Sequence, residues 1–164
     1  MPLRSDWSSD HCPIARSLDV LGDPWTVLIL RHALLGVRRF EDFRSALGVA
    51  DNVLSRRLTA MVDSGLLRRA PYRGEQRTHL EYRLTEAGED ALPVLHALLL
   101  WGERHAPKPG GRMRIVHRTC GRESTAADRC TSCGGELRAD EVGWLRPWRS
   151  AEPSPLVGAS GGPD

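Results

Sequence analysis

Apolar residues fall into short blocks separated by Asp-Pro, Gly and Pro-Gly signals, and their spacing changes from helical to alternating and back. Cys12-Pro13 opens the first block, with proline at a first helical position, Ile14, Leu18 and Leu21 at helical spacing, and Gly22 as the stop. Asp23-Pro24 repeats the device. Asp caps and Pro opens a very apolar helix through Trp25, Leu28 and Ile29 to Leu35, ended by Gly36. A short helix from Phe40 through Phe43 to Leu47 stops at Gly48, and a fourth begins near Asp51 and ends at Gly65. The period then shortens: Leu66–Tyr72 and Thr78–Leu84 read as two strands around an Arg-Gly-Glu-Gln turn. Thr85 is the expected cap of one last long helix to Arg104, with Glu86, Glu89 and Asp90 in its first turns. The predicted class is mainly α with a β-hairpin.

Beyond that helix, Lys108-Pro109-Gly110-Gly111 has the composition of a hinge. Residues 112–148 hold three of the four cysteines among many turn residues, and the Pro/Gly/Ser-rich stretch after Trp148 reads as disordered. The expected organisation is a flexible arm over 1–11, a helical unit over 12–107, a small module over 112–148 and a disordered tail over 149–164.

An apolar fraction of 40% is enough for a buried core and excludes disorder throughout. A net charge of only +2 excludes a strongly basic, chromatin-like protein. Lys108 is the one lysine, so the basic side chains are otherwise arginines, the residue suited to bidentate phosphate and guanine contacts, although a GC-rich genome favours arginine too. The longest apolar stretch, Ala91–Trp101, is interrupted by Pro93 and His96 and falls short of the ~18–20 residues of a membrane span. The N-terminus has no apolar signal core, so a cytoplasmic chain is expected, with reduced thiols or metal-ligating cysteines rather than disulfides.

Two features suggest nucleic acid. The helices flanking Gly48-Val49-Ala50 form a helix-turn-helix, and the second divides its faces: Leu54, Leu58, Met61 and Val62 on one side, Asn52, Arg56, Thr59 and Asp63 on the other, with Ser55 flanking. An ordinary amphipathic surface helix would show the same division. The hairpin that follows carries Arg68, Arg69, Arg73, Arg77 and Arg83 against Glu75 and Glu81. It can reach phosphates or the minor groove, or its charge can merely guard an exposed edge. Helix, turn, helix and basic hairpin in unbroken order make a winged helix.

The motifs along this stretch resemble those of the HxlR-type transcriptional regulators, relatives of the MarR winged-helix group. They are Cys-Pro-Ile-Ala at 12–15, Leu-Asp-Val-Leu-Gly-Asp-Pro-Trp-Thr-Val-Leu-Ile-Leu-Arg at 18–31, Arg-Arg-Phe-Glu-Asp-Phe at 38–43, Leu-Gly-Val at 47–49, Leu-Ser-Arg-Arg-Leu at 54–58, Gly-Leu-Leu at 65–67 and Tyr-Arg-Leu-Thr-Glu-Ala-Gly at 82–88. The resemblance covers about residues 12–104 and implies a homodimeric regulator of double-stranded DNA, with terminal helices forming the dimer. One departure is Ala50 where the family has a serine cap, so Asp51 is expected to cap one residue later. The expected DNA contacts are Asn52, Ser55, Arg56 and Arg57 on the helix and Arg69, Arg73 and Arg77 on the wing; Arg57, flanking the apolar face, can instead brace the fold.

Nine of the eleven residues from Ala91 to Trp101 are apolar, more than one buried stripe requires. A central core helix would explain this; so would the dimer that the resemblance implies, which would bind an inverted repeat with half-sites one or two helical turns apart. His117-x2-Cys120 and Cys130-x2-Cys133 form two pairs, the second backed by Gly134-Gly135. Three thiolates and an imidazole are a tetrahedral zinc set, Zn2+ being structural because four protein ligands leave no open position. A redox dithiol or a ribbon that has lost its metal are the alternatives, and the first pair is the less usual one. Some members of the resembled family carry such a C-terminal ribbon. Cys12, at a helix N-terminus where the dipole favours thiolate, matches a cysteine that several relatives use to sense oxidants or electrophiles; a small capping hydrophobe is the plain alternative.

An enzyme is a remote reading. His79-Leu80-Glu81 and Cys130-x2-Cys133 outline a zinc deaminase signature, but Arg129 replaces its proline and His79 falls on a strand. No nucleophile elbow, P-loop or dinucleotide fingerprint is present. A protein-interaction module, its winged helix and ribbon docking to a transcription partner, is the nearer alternative to a DNA-binding regulator, in which a repressor is favoured over an activator.

Overall fold

The computed structural model describes residues 6–74 and 78–159. Its elements are α1 (Pro13–Leu21), α2 (Pro24–Leu34), α3 (Phe40–Leu47), α4 (Asp51–Asp63), β1 (Leu67–Arg73), β2 (Thr78–Leu84), α5 (Glu86–Glu89), α6 (Leu92–His105), β3 (Arg114–His117), β4 (Arg122–Ser124), β5 (Val142–Leu145) and β6 (Ser154–Pro155), with a 3-10 turn at Ala139–Glu141. No helix among the described residues is long and apolar enough to cross a membrane.

The helical unit forms as its punctuation predicts. Asp23 accepts the Trp25 N–H at the start of α2 and Pro24 sits in its first turn. Gly48 ends α3 in the left-handed conformation, φ 62°, where a Cβ would be strained, and its N–H returns to the Arg44 carbonyl. Ile29, Leu30, Leu34, Phe43, Leu54, Leu58 and Met61 are buried together. β1 and β2 pair antiparallel, Leu67 opposite Leu84 and Arg73 opposite Thr78. Tyr82 of β2 also donates its N–H to the Arg38 carbonyl at 2.8 Å, tying the hairpin to the start of α3.

Four expectations need correction. The last helix is broken: α5 ends at Glu89 and α6 restarts at Leu92, because Pro93 has no N–H to continue the ladder. Thr85 caps only α5, accepting the Gly88 N–H at 3.1 Å. The described part of the N-terminal arm is folded back, with the Trp7 N–H on Asp19 at 2.7 Å and the Cys12 N–H on Asp10 at 2.7 Å; residues 1–5 lie outside the described residues. The tail is ordered to residue 159. Ser154 and Pro155 pair with β5, where an edge strand tolerates proline, and Leu156 is buried in the core. Residues 160–164 lie outside the described residues.

The fourth correction concerns the hinge. β4-β3-β5-β6 form a second sheet whose buried Ile115, Val142, Trp144 and Leu156 join the same cluster as Leu92 and Leu95 of α6. Hydrogen bonds cross the seam: the Met113 N–H to Glu103 at 2.8 Å, the Val157 N–H to the Leu34 carbonyl at 2.8 Å and the Ala159 N–H to Glu89 at 2.7 Å. The Pro-Gly linker spans two surfaces that are packed on each other, because their apolar residues share one core.

Candidate nucleic-acid interface and metal centre

α4 presents one face outward. Leu54, Leu58 and Met61 anchor it, while Asn52, Ser55, Arg56, Thr59 and Asp63 are all exposed. Ala50 occupies the N-cap with no side-chain hydrogen bond, and α4 begins at Asp51. Asp51 does not take over as the cap. It lies in the first turn, favourable for a carboxylate, and accepts a long 3.5 Å contact from Arg44 of α3.

Arg57 turns away from this face. Its guanidinium meets Asp23 at 2.5 Å, with both side chains largely buried. Asp23 therefore caps α2 and ties it to α4 at the same time. Helical period places Arg57 on the flank; the acid that claims it lies 34 positions away, and nothing local to α4 marks it as a partner.

On the wing, Arg69 and Arg73 are exposed, and Arg69 donates to Thr59 of α4 at 3.4 Å, so wing and helix form one polar surface. Arg77 lies outside the described residues. Arg83 does not add to that surface: its Nε donates to Glu81 at 2.6 Å, and Arg38 approaches the same carboxylate at 3.9 Å. The i, i+2 spacing of Glu81 and Arg83 on one strand was the available signal. Arg39, absent from the expected set, lies 4.5 Å above the Tyr72 ring, which also stacks on His79. His79 and Glu81 thus serve the hairpin.

The second site is a cluster of thiols. The ligating atoms of His117, Cys120, Cys130 and Cys133 all lie within 4.8 Å of one another. Two turns of the same design build it. After His117-x2-Cys120, Gly121 (φ 68°) returns its N–H to the His117 carbonyl at 2.8 Å; after Cys130-x2-Cys133, Gly134 (φ 75°) returns its N–H to the Cys130 carbonyl at 2.8 Å. The less usual pair is therefore a knuckle like the other. His117 Nδ1 faces the sulfurs, 3.2 Å from Cys133 and 3.5 Å from Cys120. A Cβ on Gly135 would stand 3.0 Å from the His117 ring, so a side chain there would push on the imidazole.

Burial opposes a charge on Cys130, yet the N–H groups of Cys133 and Ser132 and the neighbouring thiols outweigh it and bring the thiol down to about 6. Three convergent sulfurs, one imidazole nitrogen and a thiol poised to ionise fit a four-coordinate divalent ion.

The cluster is fastened to α6 by a residue that the sequence motifs do not single out. His96 is fully buried; its Nε2 accepts the Trp144 indole N–H at 3.0 Å, and its Nδ1 meets the Ala127 carbonyl at 2.8 Å. Nδ1 must therefore carry the proton, and burial, which pushes its pKa down, keeps the ring neutral. Cys12 is exposed at the N-terminus of α1, whose nine residues include none that is buried.

A family model described as HxlR-like helix-turn-helix matches residues 20–109. The HTH-type transcriptional regulator Rv3095 of Mycobacterium tuberculosis is 42% identical over 130 residues, 79% of this chain and 82% of the relative. An alignment of that length must extend past the family model into the C-terminal module. The HTH-type regulator YdeP of Bacillus subtilis is 32% identical over 104 residues, 61% of this chain and 80% of the relative. Among solved structures, PA1607, assigned as a transcription factor, superposes with TM-score 0.68 at 36% identity over 84% of this chain and 96% of that one. The redox regulator HypR in its reduced form superposes with TM-score 0.53 at 28% identity over 58% of this chain and 94% of that one.

Proposed function

Because the chain belongs to the HxlR-like helix-turn-helix family of transcriptional regulators, we propose that it represses by occupying an inverted-repeat operator as a homodimer. The observation that carries this reading is the continuous exposed surface of Asn52, Ser55 and Arg56 on α4 with Arg69 and Arg73 on the wing, joined by the Arg69–Thr59 contact. α4 enters the major groove, Arg56 and Ser55 facing base edges and phosphates, while the wing arginines grip the adjoining backbone. Arg57 is left out of this set.

Two apolar stripes support the dimer. Ile14 (72% exposed) and Leu18 (48%) stand one turn apart on α1, and Val94, Leu98 and Trp101 (62%) run along α6. A monomer has no use for such faces, and a second copy covers them. The C-terminal knuckles hold zinc through His117, Cys120, Cys130 and Cys133, a borderline-soft ion suited to three sulfurs and one nitrogen. When bound it cross-links β3 to the Cys130 knuckle, and its role is structural. Redox control through Cys12 is supported by the likeness to HypR and by the position of this exposed thiol on the same helix as Ile14 and Leu18. An adduct there would disturb the dimer face.

Footprinting on DNA upstream of the protein's own gene, with metal content measured on the same sample, tests the reading. Affinity is expected to fall by orders of magnitude between ~50 and ~200 mM salt. Arg56→Glu with Arg73→Glu should abolish protection in a folded protein, whereas Arg57→Met should lower stability and leave the salt slope intact. Unchanged occupancy in the double variant would overturn the proposal. Cys12 should alkylate faster than a free thiol at neutral pH; an ordinary rate removes the sensor.

A further inference from the structure

A hollow of about 610 Å³ lies between α2, α6, the 106–111 linker and the C-terminal module. Its size is that of a pocket for a small organic molecule. It belongs to a different stripe of α6 from the proposed dimer face. Val94, Leu98 and Trp101 follow one helical row; Leu95, Leu99, Gly102 and Ala106 follow the next and line the hollow, with Leu98 on the rim of both. The remaining lining includes Val27 and Leu28 of α2 and Met113, Trp144 and Trp148 of the module. At Gly102 a Cβ would meet nothing within 4 Å, so the helix leaves open space where any other residue would project into it.

Three charged side chains line the hollow: Arg31, Glu103 and Lys108 of the linker. The Glu103 carboxylate is engaged by the Met113 N–H. Arg31 is half-buried, and its Nη2 meets the neighbouring His32 ring at 2.9 Å. Among the described residues no carboxylate pairs with Arg31. Its surroundings are basic: Arg146 acts on Arg31 from β5's end, and Arg146 and Arg149 both act on His32. Arg146 itself has a buried Nε with no partner. A cationic corner without a counter-ion, opening onto an apolar cavity, complements one kind of molecule.

We propose that this hollow binds a small aromatic carboxylate, its ring between Leu99, Gly102 and the tryptophan wall and its carboxylate on Arg31. The site is made jointly by the winged-helix unit and the module, so it exists only when the two are docked. Loss of solvent depresses the Arg31 pKa, and an anion beside it relieves that cost. The occupant touches α6 beside the dimer row, so its binding is felt by the helix that carries the dimer.

The test is calorimetric titration of the full-length, metal-loaded, DNA-free protein with 2-naphthoate and with its neutral analogue 2-naphthamide. Saturable binding of one naphthoate per chain is expected, about tenfold tighter than the amide, the scale of one hydrogen bond to a charged group. Arg31→Gln should erase that preference and keep the amide affinity. Gly102→Leu should fill the hollow and abolish both without loss of fold, read by an unchanged Tm. Equal affinities for the two probes, or a preference that survives Arg31→Gln, overturn the proposal. So does an absence of binding together with dimers that dissociate in Gly102→Leu, which assigns the hollow to a second copy. None of these readings depends on operator binding.

Discussion

Residues 12–107 and residues 112–159 are held together by different means. The first bury seven large apolar side chains from α2, α3 and α4, Ile29, Leu30, Leu34, Phe43, Leu54, Leu58 and Met61, around one centre. The second bury Ile115, Leu137, Val142, Trp144 and Leu156, and bring three thiols and an imidazole together where an ordinary domain would place more hydrocarbon. A stretch this short cannot exclude enough apolar surface from water to offset the entropy of ordering it; docking onto α6 contributes the apolar contacts it lacks, and the proposed zinc would add a cross-link. The polar joints of the module follow from that shortage: His96, Glu103 and Glu89 each accept a hydrogen bond from it.

The largest expected effect breaks the comparison at the metal. With Cys130→Ser, or with a strong chelator, β3, β4 and β5 should lose amide protection in hydrogen exchange, while α2, α3 and α4 keep theirs. Structural zinc contributes about 10–16 kcal/mol to small zinc modules, more than the module's own core can replace. Leu58→Ala should do the reverse. It costs about 2–5 kcal/mol by opening a cavity under α4, lowers the Tm of the winged-helix unit and leaves metal content unchanged. If either variant unravels both regions at once, the molecule is one cooperative unit.

A smaller effect lies at the seam. Trp144→Phe removes the indole N–H and leaves the buried His96 Nε2 without a donor, at about 1–3 kcal/mol. Protection of β5 should fall in step with that of α6, which chemical denaturation followed by exchange can resolve.

A further effect at the seam is a pH dependence. Burial, followed by the charges of Arg31, Arg146 and Arg149, holds His32 down to about 4 from its ordinary 6.5. The unfolded chain takes up this proton near 6.5 and the folded chain resists it until about 4. Stability therefore falls as pH drops through that window and levels off below it. Wild type should lose more Tm than His32→Gln between pH 7 and pH 4.5; the difference between the two proteins separates this proton from those taken up elsewhere in the chain.

Local chemistry was legible in the sequence alone. Asp23-Pro24, Gly48 and Thr85 mark element ends because caps and left-handed turns depend on one or two neighbouring residues, and Leu54, Leu58 and Met61 show the buried side of α4 because helical period is a property of a single segment. The His117–Cys120 and Cys130–Cys133 pairs were legible for the same reason, each closing within one turn. Pairing across long distances was not. That Arg57 meets Asp23, that Arg83 is consumed by Glu81, that His96 serves Trp144 and that Leu156 brings an apparently loose tail into the core are outcomes of packing, since which charge finds a counter-charge depends on what the fold brings within ~4 Å. Only the tertiary structure, therefore, could decide which arginines stay exposed on α4 and the wing and which one lines the hollow beside α6.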